Sequence, residues 1–327
     1  MKALVTGGRG FIGSFLVKLL LAKGIQVRCL LRNKRKDQRW LTGLDFEHAT
    51  GDITEPNSLL PTVEGVDYVY HLAGLTKSSF KSEFHKINAE GTRNLLDATL
   101  KINPNLRRFV LVSSLAAAGP SPDGNPLTES DPANPMSDYG KSKLKAEEIA
   151  LKYSQKFPMS IVRPPAVYGP RERDIFQFFK YAKQGWLPIL TGGPRYSSVI
   201  YVKDLVEGLL LVAEQEKAQG EIYFLSDDES YSWEYFGATL AEILGVKPRK
   251  IMIPLTAAFL TSCGFELVAK FTRQPTLFSL DKFRELRATH WICDNSKAKK
   301  ELGFRPRFDL HRGLYETAQW YLENGWL

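Results

Sequence analysis

Tyr139-Gly-Lys-Ser-Lys143 is the segment of this 327-residue chain best suited to proton chemistry. At a helix start, residues four apart lie on one face, so the Tyr139 phenol and the Lys143 ammonium point the same way. A free tyrosine loses its proton near about pH 10, and a fixed cation nearby stabilises the phenolate, each tenfold gain in acidity amounting to about 1.4 kcal/mol. Such a pair becomes a useful acid and base near neutrality. Ser113 and Ser114 close the preceding strand and can offer a hydroxyl to the same oxygen. By itself the pair also reads as an ordinary surface feature beside a serine-rich strand end.

A second segment changes that balance. From Thr6 to Gly13 the chain reads Thr-Gly-Gly-Arg-Gly-Phe-Ile-Gly, between an apolar strand at Met1 to Val5 and an apolar helix through Phe15 to Leu21. Gly8, Gly10 and Gly13 fit a dinucleotide-binding turn, with a tight bend, close approach to pyrophosphate and close helix-to-strand packing. The backbone nearest the phosphates is then that of Gly7, Gly10, Phe11, Ile12 and Gly13, at a helix start. A merely structural turn is the plainer alternative; a P-loop is excluded because no Gly-Lys-Ser/Thr follows.

The second strand ends at Leu31, and Arg32-Asn33-Lys34-Arg35-Lys36 follows where a ribose-binding acid is expected. The first acid is Asp37, beyond the turn. A carboxylate would repel a 2′-phosphate, whereas an arginine fork accepts one, so NADP(H) is favoured over NAD(H) with Arg32 as the contact. Most of that basic cluster reads as a solvated loop. Asp52 follows a third strand and either binds the adenine amino group or stabilises its own turn. Leu72, Ala73 and Gly74 end the next strand and let a flat cofactor lie against backbone.

These residues need a scaffold, and the chain supplies a repeating one. Lys2 to Val5, Gln26 to Leu31, Tyr68 to Leu72, Phe109 to Ser113 and Ser160 to Arg163 read as strands; Ile12 to Lys23, Asn88 to Lys101 and Tyr139 to Phe157 read as helices between them. The alternation predicts an α/β fold, a doubly wound parallel sheet with ligands at the carboxyl ends of its strands. Residues 1–165 are expected to form the dinucleotide-binding domain and 166–327 mainly a smaller C-terminal substrate-binding lobe. Val199 to Val202 and Ile222 to Leu225 look like strands returning to the main sheet.

The remaining composition narrows the function class. Three cysteines, Cys29, Cys263 and Cys293, are too few and scattered for a disulfide framework or metal knuckle, favouring a reducing compartment. No signal peptide is read at the start, so a cytoplasmic location is expected. A net charge of +8 brings no DNA-reading motif with it and suits anionic small molecules equally well. Ile251 to Phe271 is the most apolar long stretch, but Pro254, Thr256, Thr261, Ser262 and Glu266 interrupt it. A substrate-lobe helix is expected there rather than a membrane element, with monotopic contact or the lining of an apolar pocket left open.

The Thr6 to Gly13 turn, the His71 to Gly74 strand end, Asn88-Ala-Glu-Gly-Thr-Arg-Asn-Leu-Leu96, the Ser114/Tyr139/Lys143 set and Arg163-Pro-Pro-Ala-Val-Tyr-Gly-Pro170 together resemble the extended short-chain dehydrogenase/reductases, the NAD-dependent epimerase/dehydratase family. The likeness continues through Ile200-Tyr-Val-Lys-Asp204 and Lys299 to Leu327. It implies a Rossmann-type fold, with Tyr139 as general acid/base, Lys143 holding the nicotinamide ribose and lowering the tyrosine pKa, and Ser114 orienting the substrate. Counting back from Gly119 favours Ser114 over Ser113. Ala166 and Val167 are implied near the nicotinamide, Asp52 and Ile53 at the adenine, and a homodimer through helices of the Tyr139 kind.

Within the family, dehydratases carry an acidic pair after the catalytic hydroxyl residue, where this chain has Leu115 and Ala116. Sugar epimerases place an arginine for the nucleotide diphosphate where Ser197 stands, although Arg195, two residues earlier, is a shifted substitute. The stretch from Leu280 to Pro306 resembles the 3β-hydroxysteroid dehydrogenase and dihydroflavonol reductase branch. His290 within it reads as packed or surface imidazole rather than catalytic. The expected function is an NADP(H)-dependent oxidoreductase interconverting a ketone and a secondary alcohol on a bulky, partly apolar small molecule. A nucleotide-sugar epimerase and a non-catalytic NADP(H)-sensing protein are the alternatives.

Overall fold

The computed structural model describes residues 1–32, 40–78, 80–272 and 279–327. Its strands are β1 (Lys2–Thr6), β2 (Gln26–Leu31), β3 (Glu47–Thr50), β4 (Tyr68–His71), β5 (Arg108–Val112), β6 (Met159–Arg163), β7 (Ala166–Tyr168), β8 (Trp186–Leu190), β9 (Tyr196–Tyr201), β10 (Ile222–Phe224), β11 (Ser230–Ser232), β12 (Arg249–Ile253) and β13 (His290–Trp291). Seven of them form one sheet in the order β10-β6-β5-β4-β1-β2-β3, and every pairing in it is parallel. β4, β5 and β6 are buried along their whole length, as strands covered on both faces must be.

Strand alternation divides the core into two layers. Ala3 and Val5 of β1 face Leu16, Val17 and Leu20 of α1 (Phe11–Ala22). Leu4 faces the other way, toward Leu95 and Leu96 of α2 (Gly91–Ile102) and Ala146 and Ile149 of α3 (Asp138–Leu151). α4 (Val202–Glu214) joins the α1 layer through Leu205 and Leu209. Successive strands run from β1 to β2 and β3 on one side and to β4, β5 and β6 on the other. The β1 to β4 boundary is therefore a switch point, where the ends of two diverging connections leave a crevice.

Several expected elements differ in detail. Ile222 to Leu225 returns to the main sheet as β10 beside β6. Val199 to Val202 does not: β9 pairs with β7, β11 and β13 in a second sheet. Asn88 lies in a π-helical turn, His85–Glu90, ahead of α2. α3 stops at Leu151, short of Phe157. Ile251 to Phe271 is not one helix, because Pro254 ends β12, and α5 (Leu255–Thr272) follows. α6 (Leu280–Arg287) packs between α5 and the start of α3, as the contacts below show. Among the described residues no helix is long and apolar enough to cross a membrane, and no three His, Cys, Asp or Glu side chains gather around a metal-sized site.

Candidate active site

The turn after β1 shows why glycine recurs there. Gly7 has φ 72°, and a Cβ on it would lie 2.9 Å from both Leu72 C and Ala73 N at the end of β4. A Cβ on Gly13 would stand 2.3 Å from Gly7 O, a backbone atom that cannot step aside. Gly10 N–H donates to Gly7 O at 2.8 Å, closing the bend, and Ser14 N–H donates to Gly10 O at 3.0 Å. The N–H groups of Phe11, Ile12 and Gly13 are left without helical partners at a terminus whose cap offers no side chain. That is a fit to an anionic pyrophosphate, and substituents would fill the cradle.

A buried polar chain joins this turn to the Tyr139 helix. Thr92 Oγ1 donates to Asn88 O at 2.6 Å, so its lone pairs face His71 Nε2 at 3.0 Å. His71 therefore carries its hydrogen on Nε2, and Nδ1 accepts from Thr6 Oγ1 at 2.7 Å. Thr6 Oγ1 accepts in turn from Ala73 N–H at 3.0 Å. Asn88 Nδ2 donates to Ser142 Oγ at 2.8 Å, and Ser142 Oγ donates to Tyr139 O at 2.7 Å. Every link is a small polar residue at a strand end or helix face, so the sequence shows the residue types but not their pairing.

Burial, with Lys143 adding to it, brings the His71 imidazole down to about 3. The unfolded chain protonates this group near its ordinary 6.5, so at acid pH the unfolded state binds more protons. The contribution of His71 is complete above 6.5 and is lost as pH falls toward 3, at about 1.4 kcal/mol per pH unit. Urea unfolding at pH 7 and at pH 5 is expected to differ by about 2 kcal/mol from this residue alone. The difference should disappear in His71→Asn; an unchanged slope in that variant would assign the acid sensitivity elsewhere.

Tyr139 and Lys143 project from the first turns of α3, whose N-cap Ser137 accepts from Gly140 N–H. Ser114 lies close enough to the Tyr139 phenol to draw its pKa down. Ser114 Oγ also accepts from Ala116 N–H at 3.1 Å, leaving its own hydrogen for donation. Lys143 Nζ donates to Val112 O at 2.7 Å. Burial pushes the phenol up to about 12, Ser114 pulling against it and Glu285 adding to it. Burial likewise lowers Lys143 to about 8, opposed by Glu147. Lowering of the Tyr139 pKa by Lys143 is thus not seen in the protein alone, where burial dominates and the opposing pull comes from Ser114.

Ser113 is committed elsewhere. Its hydroxyl donates to Glu147 Oε1, whose carboxylate is held by Arg163 through Nε to Oε1 at 3.0 Å and Nη2 to Oε2 at 2.6 Å. Both charged side chains are buried. Above the α3 N-terminus, Asp281 of α6 accepts from Asp138 N–H at 2.7 Å and Tyr139 N–H at 3.3 Å, while Glu285 accepts from Ser137 Oγ at 2.7 Å. These α6 acids lie far along the chain from the helix they cap, and no local pattern announces them.

The remaining expected residues distribute as follows. Arg32 is exposed just past β2, while Asn33 to Arg39, Asp37 included, lie outside the described residues. Asp52 Oδ1 accepts from Thr54 N–H and Oγ1, each at 2.8 Å, the bonds of a turn. Ile53 is turned into the core, where a Cβ on Gly91 would touch it at 2.9 Å. Leu72, Ala73 and Gly74 continue β4 beside the glycine turn, and Ala166 and Val167 are half-buried on β7 against Val199 and Ile200. Arg195 donates to the carbonyls of Leu286, Leu190, Gly193 and Thr191 at 2.9, 3.2, 3.0 and 3.1 Å, and Ser197 is buried. His290 stacks on Tyr196 at 5.7 Å with its Nδ1 against Thr289 Oγ1, as a packed imidazole does.

A doubly wound parallel sheet with a glycine cradle at its switch point defines a dinucleotide-binding enzyme fold. Residues 3–225 match the NAD dependent epimerase/dehydratase family, and the chain belongs to that family, making it an NAD(P)-dependent enzyme of the extended short-chain dehydrogenase/reductase type. It is 32% identical over 326 residues to a ceramide reductase of Caulobacter vibrioides, covering 99% of this chain and 95% of that protein. It is 29% identical to the 4-hydroxy-2-methyl-3-oxo-4-farnesyl-3,4-dihydroquinoline-1-oxide ketoreductase of Stigmatella aurantiaca, covering 98% and 96% respectively. The fold is shared with the UDP-glucose 4-epimerase of Thermotoga maritima at TM-score 0.82 and 23% identity, covering 99% of each chain.

Proposed function

We propose that the chain is an NADP(H)-dependent ketoreductase, interconverting a ketone and a secondary alcohol on a bulky, partly apolar substrate. The observation that carries this reading is the fate of Arg195, whose guanidinium is spent on four backbone carbonyls. A nucleotide-sugar site needs a cation free for the diphosphate, and freeing this one would leave those carbonyls to find new partners. Leu115 and Ala116, both buried, supply no acid/base pair for water elimination. One relative is named a ceramide reductase and another a ketoreductase of a farnesyl-bearing dihydroquinoline oxide, which agrees with the reading.

In this reading the backbone of Gly7, Gly10, Phe11, Ile12 and Gly13 holds the pyrophosphate, Arg32 the 2′-phosphate, and Asp52 and Ile53 the adenine. Leu72, Ala73 and Gly74 line the middle of the site, with Ala166 and Val167 at the nicotinamide. The bound nicotinamide supplies the hydride. Lys143 anchors the adjoining ribose, and Ser114 donates to the substrate oxygen. Tyr139 transfers its proton to that oxygen during reduction and recovers one afterwards.

Assay of the purified chain with long-chain and polycyclic ketones is expected to consume NADPH stoichiometrically. Turnover of a nucleotide sugar without net cofactor consumption would replace this reading with an epimerase. Arg32→Ala should weaken NADPH binding about tenfold, as loss of one charge-assisted bond does, and leave NADH unchanged. Fluorescence titration checks this, and equal losses for both cofactors would remove Arg32 from the 2′-phosphate.

A further inference from the structure

We infer that the outward face of α5 docks on an anionic lipid bilayer. The inner stripe of this helix is accounted for: Phe259 packs on Phe283 of α6 at 5.3 Å, Ser262 and Ala269 are buried, and Glu266 accepts from Leu280 N–H at 3.4 Å. Residues 259, 262, 266 and 269 recur at helical spacing on one side. The opposite stripe is apolar and open to solvent, with Leu260 68%, Leu267 59%, Val268 51% and Phe271 89% exposed. Ala257, Thr261 and Gly264 complete it, and among the described side chains no charged one falls on it. A helix wetted on that side would carry charges there, and a continuous open apolar face marks a docking surface.

The surroundings identify what it docks on. β12 leads into α5 with Pro254 alone between them, and its Ile251 and Met252, on opposite faces of the strand, are both exposed apolar residues. On the same strand and just before it, Arg249 and Lys247 are exposed and make no ion pair among the described residues. Trp186, in register opposite Arg249, is exposed as well. Lys250 is paired with Glu234, and the one acid between residues 244 and 272, Glu266, faces α6, so Lys247 and Arg249 form the basic rim among the described residues. An apolar stripe beside basic and aromatic residues complements a headgroup layer of anionic lipid. A second copy would bring two basic rims together, which disfavours it as the occupant. Since no described helix is long and apolar enough to span, α5 lies in the plane of the surface.

Co-sedimentation of the full chain with vesicles tests the assignment. Binding is expected to vesicles containing phosphatidylglycerol, about tenfold tighter than to phosphatidylcholine alone, and to weaken with salt. Leu260→Asp with Leu267→Asp should abolish it, and Lys247→Glu with Arg249→Glu should remove the preference for anionic lipid. Both pairs are exposed, so thermal unfolding is expected to match the parent. Absence of binding by the parent, equal binding to both vesicles, or charge reversal without effect overturns the proposal. So does a dimer in sedimentation velocity that Leu260→Asp with Leu267→Asp dissociates while vesicles are ignored. None of these outcomes depends on the reductase assay, whose failure is scored separately.

Discussion

Tyr139→Phe is expected to lower kcat by about a hundred- to ten-thousand-fold, the range that loss of a general acid produces. The substitution removes one oxygen and leaves the ring that faces Phe84 at 6.2 Å. Loss of the phenol's polar contact with Ser114 should cost at most about 1 kcal/mol of stability, too little to unfold the protein. Cofactor affinity should hold, because the glycine turn and Lys143 are untouched. Since burial holds the phenol protonated to about pH 12 in the protein alone, Tyr139 is poised as a proton donor over the whole neutral range. Single-turnover measurement with saturating NADPH separates chemistry from binding. A variant that retains parental kcat would remove Tyr139 from the proton-transfer role and with it the reductase reading.

How much of this was legible beforehand depended on whether the constraint lay in the backbone or between side chains. The Thr6 to Gly13 turn could be read because its demands are backbone demands: Gly7 needs φ 72°, and Gly13 has no room for a Cβ. Alternating apolar runs likewise predicted a parallel sheet, since strands covered on both faces are mostly apolar. β9 went to the wrong sheet because Val199 to Val202 is as apolar as any central strand; its partners, β7, β11 and β13, lie up to 94 residues away by the Tyr196 to His290 register. Pro254 was visible as an interruption, but not that a strand would precede it and a helix follow. Arg195 and Ser113 were ambiguous for a related reason: each could serve a ligand until the structure shows its hydrogen bonds spent on the protein itself.

The pair that occupies Ser113 should be the most sensitive point of the scaffold. Glu147 lies one helical turn beyond Lys143 and is bound at both oxygens by Arg163 of β6, with each side chain almost wholly removed from water. Burying two charges is costly, and their attraction offsets that cost only while both are present. Glu147→Ala is therefore expected to destabilise the protein by about 3–5 kcal/mol, because Arg163 would keep its charge and lose its counterion. The Nη1 atom of Arg163 is already buried without a partner, so the arginine has no second acceptor in place. Glu147→Leu combined with Arg163→Met should recover most of the loss, since both charges then leave together. Urea unfolding of the two variants measures the difference, and a single substitution costing under about 1 kcal/mol would show the pair to be solvated. The activity of the double variant carries separate information. Glu147 also raises the Lys143 pKa against burial, so without it the ammonium should lose its proton at lower pH than about 8. The alkaline limb of the pH–rate profile is then expected to move toward neutrality even where stability has been restored, linking the buried pair to the charge state of the lysine beside Tyr139.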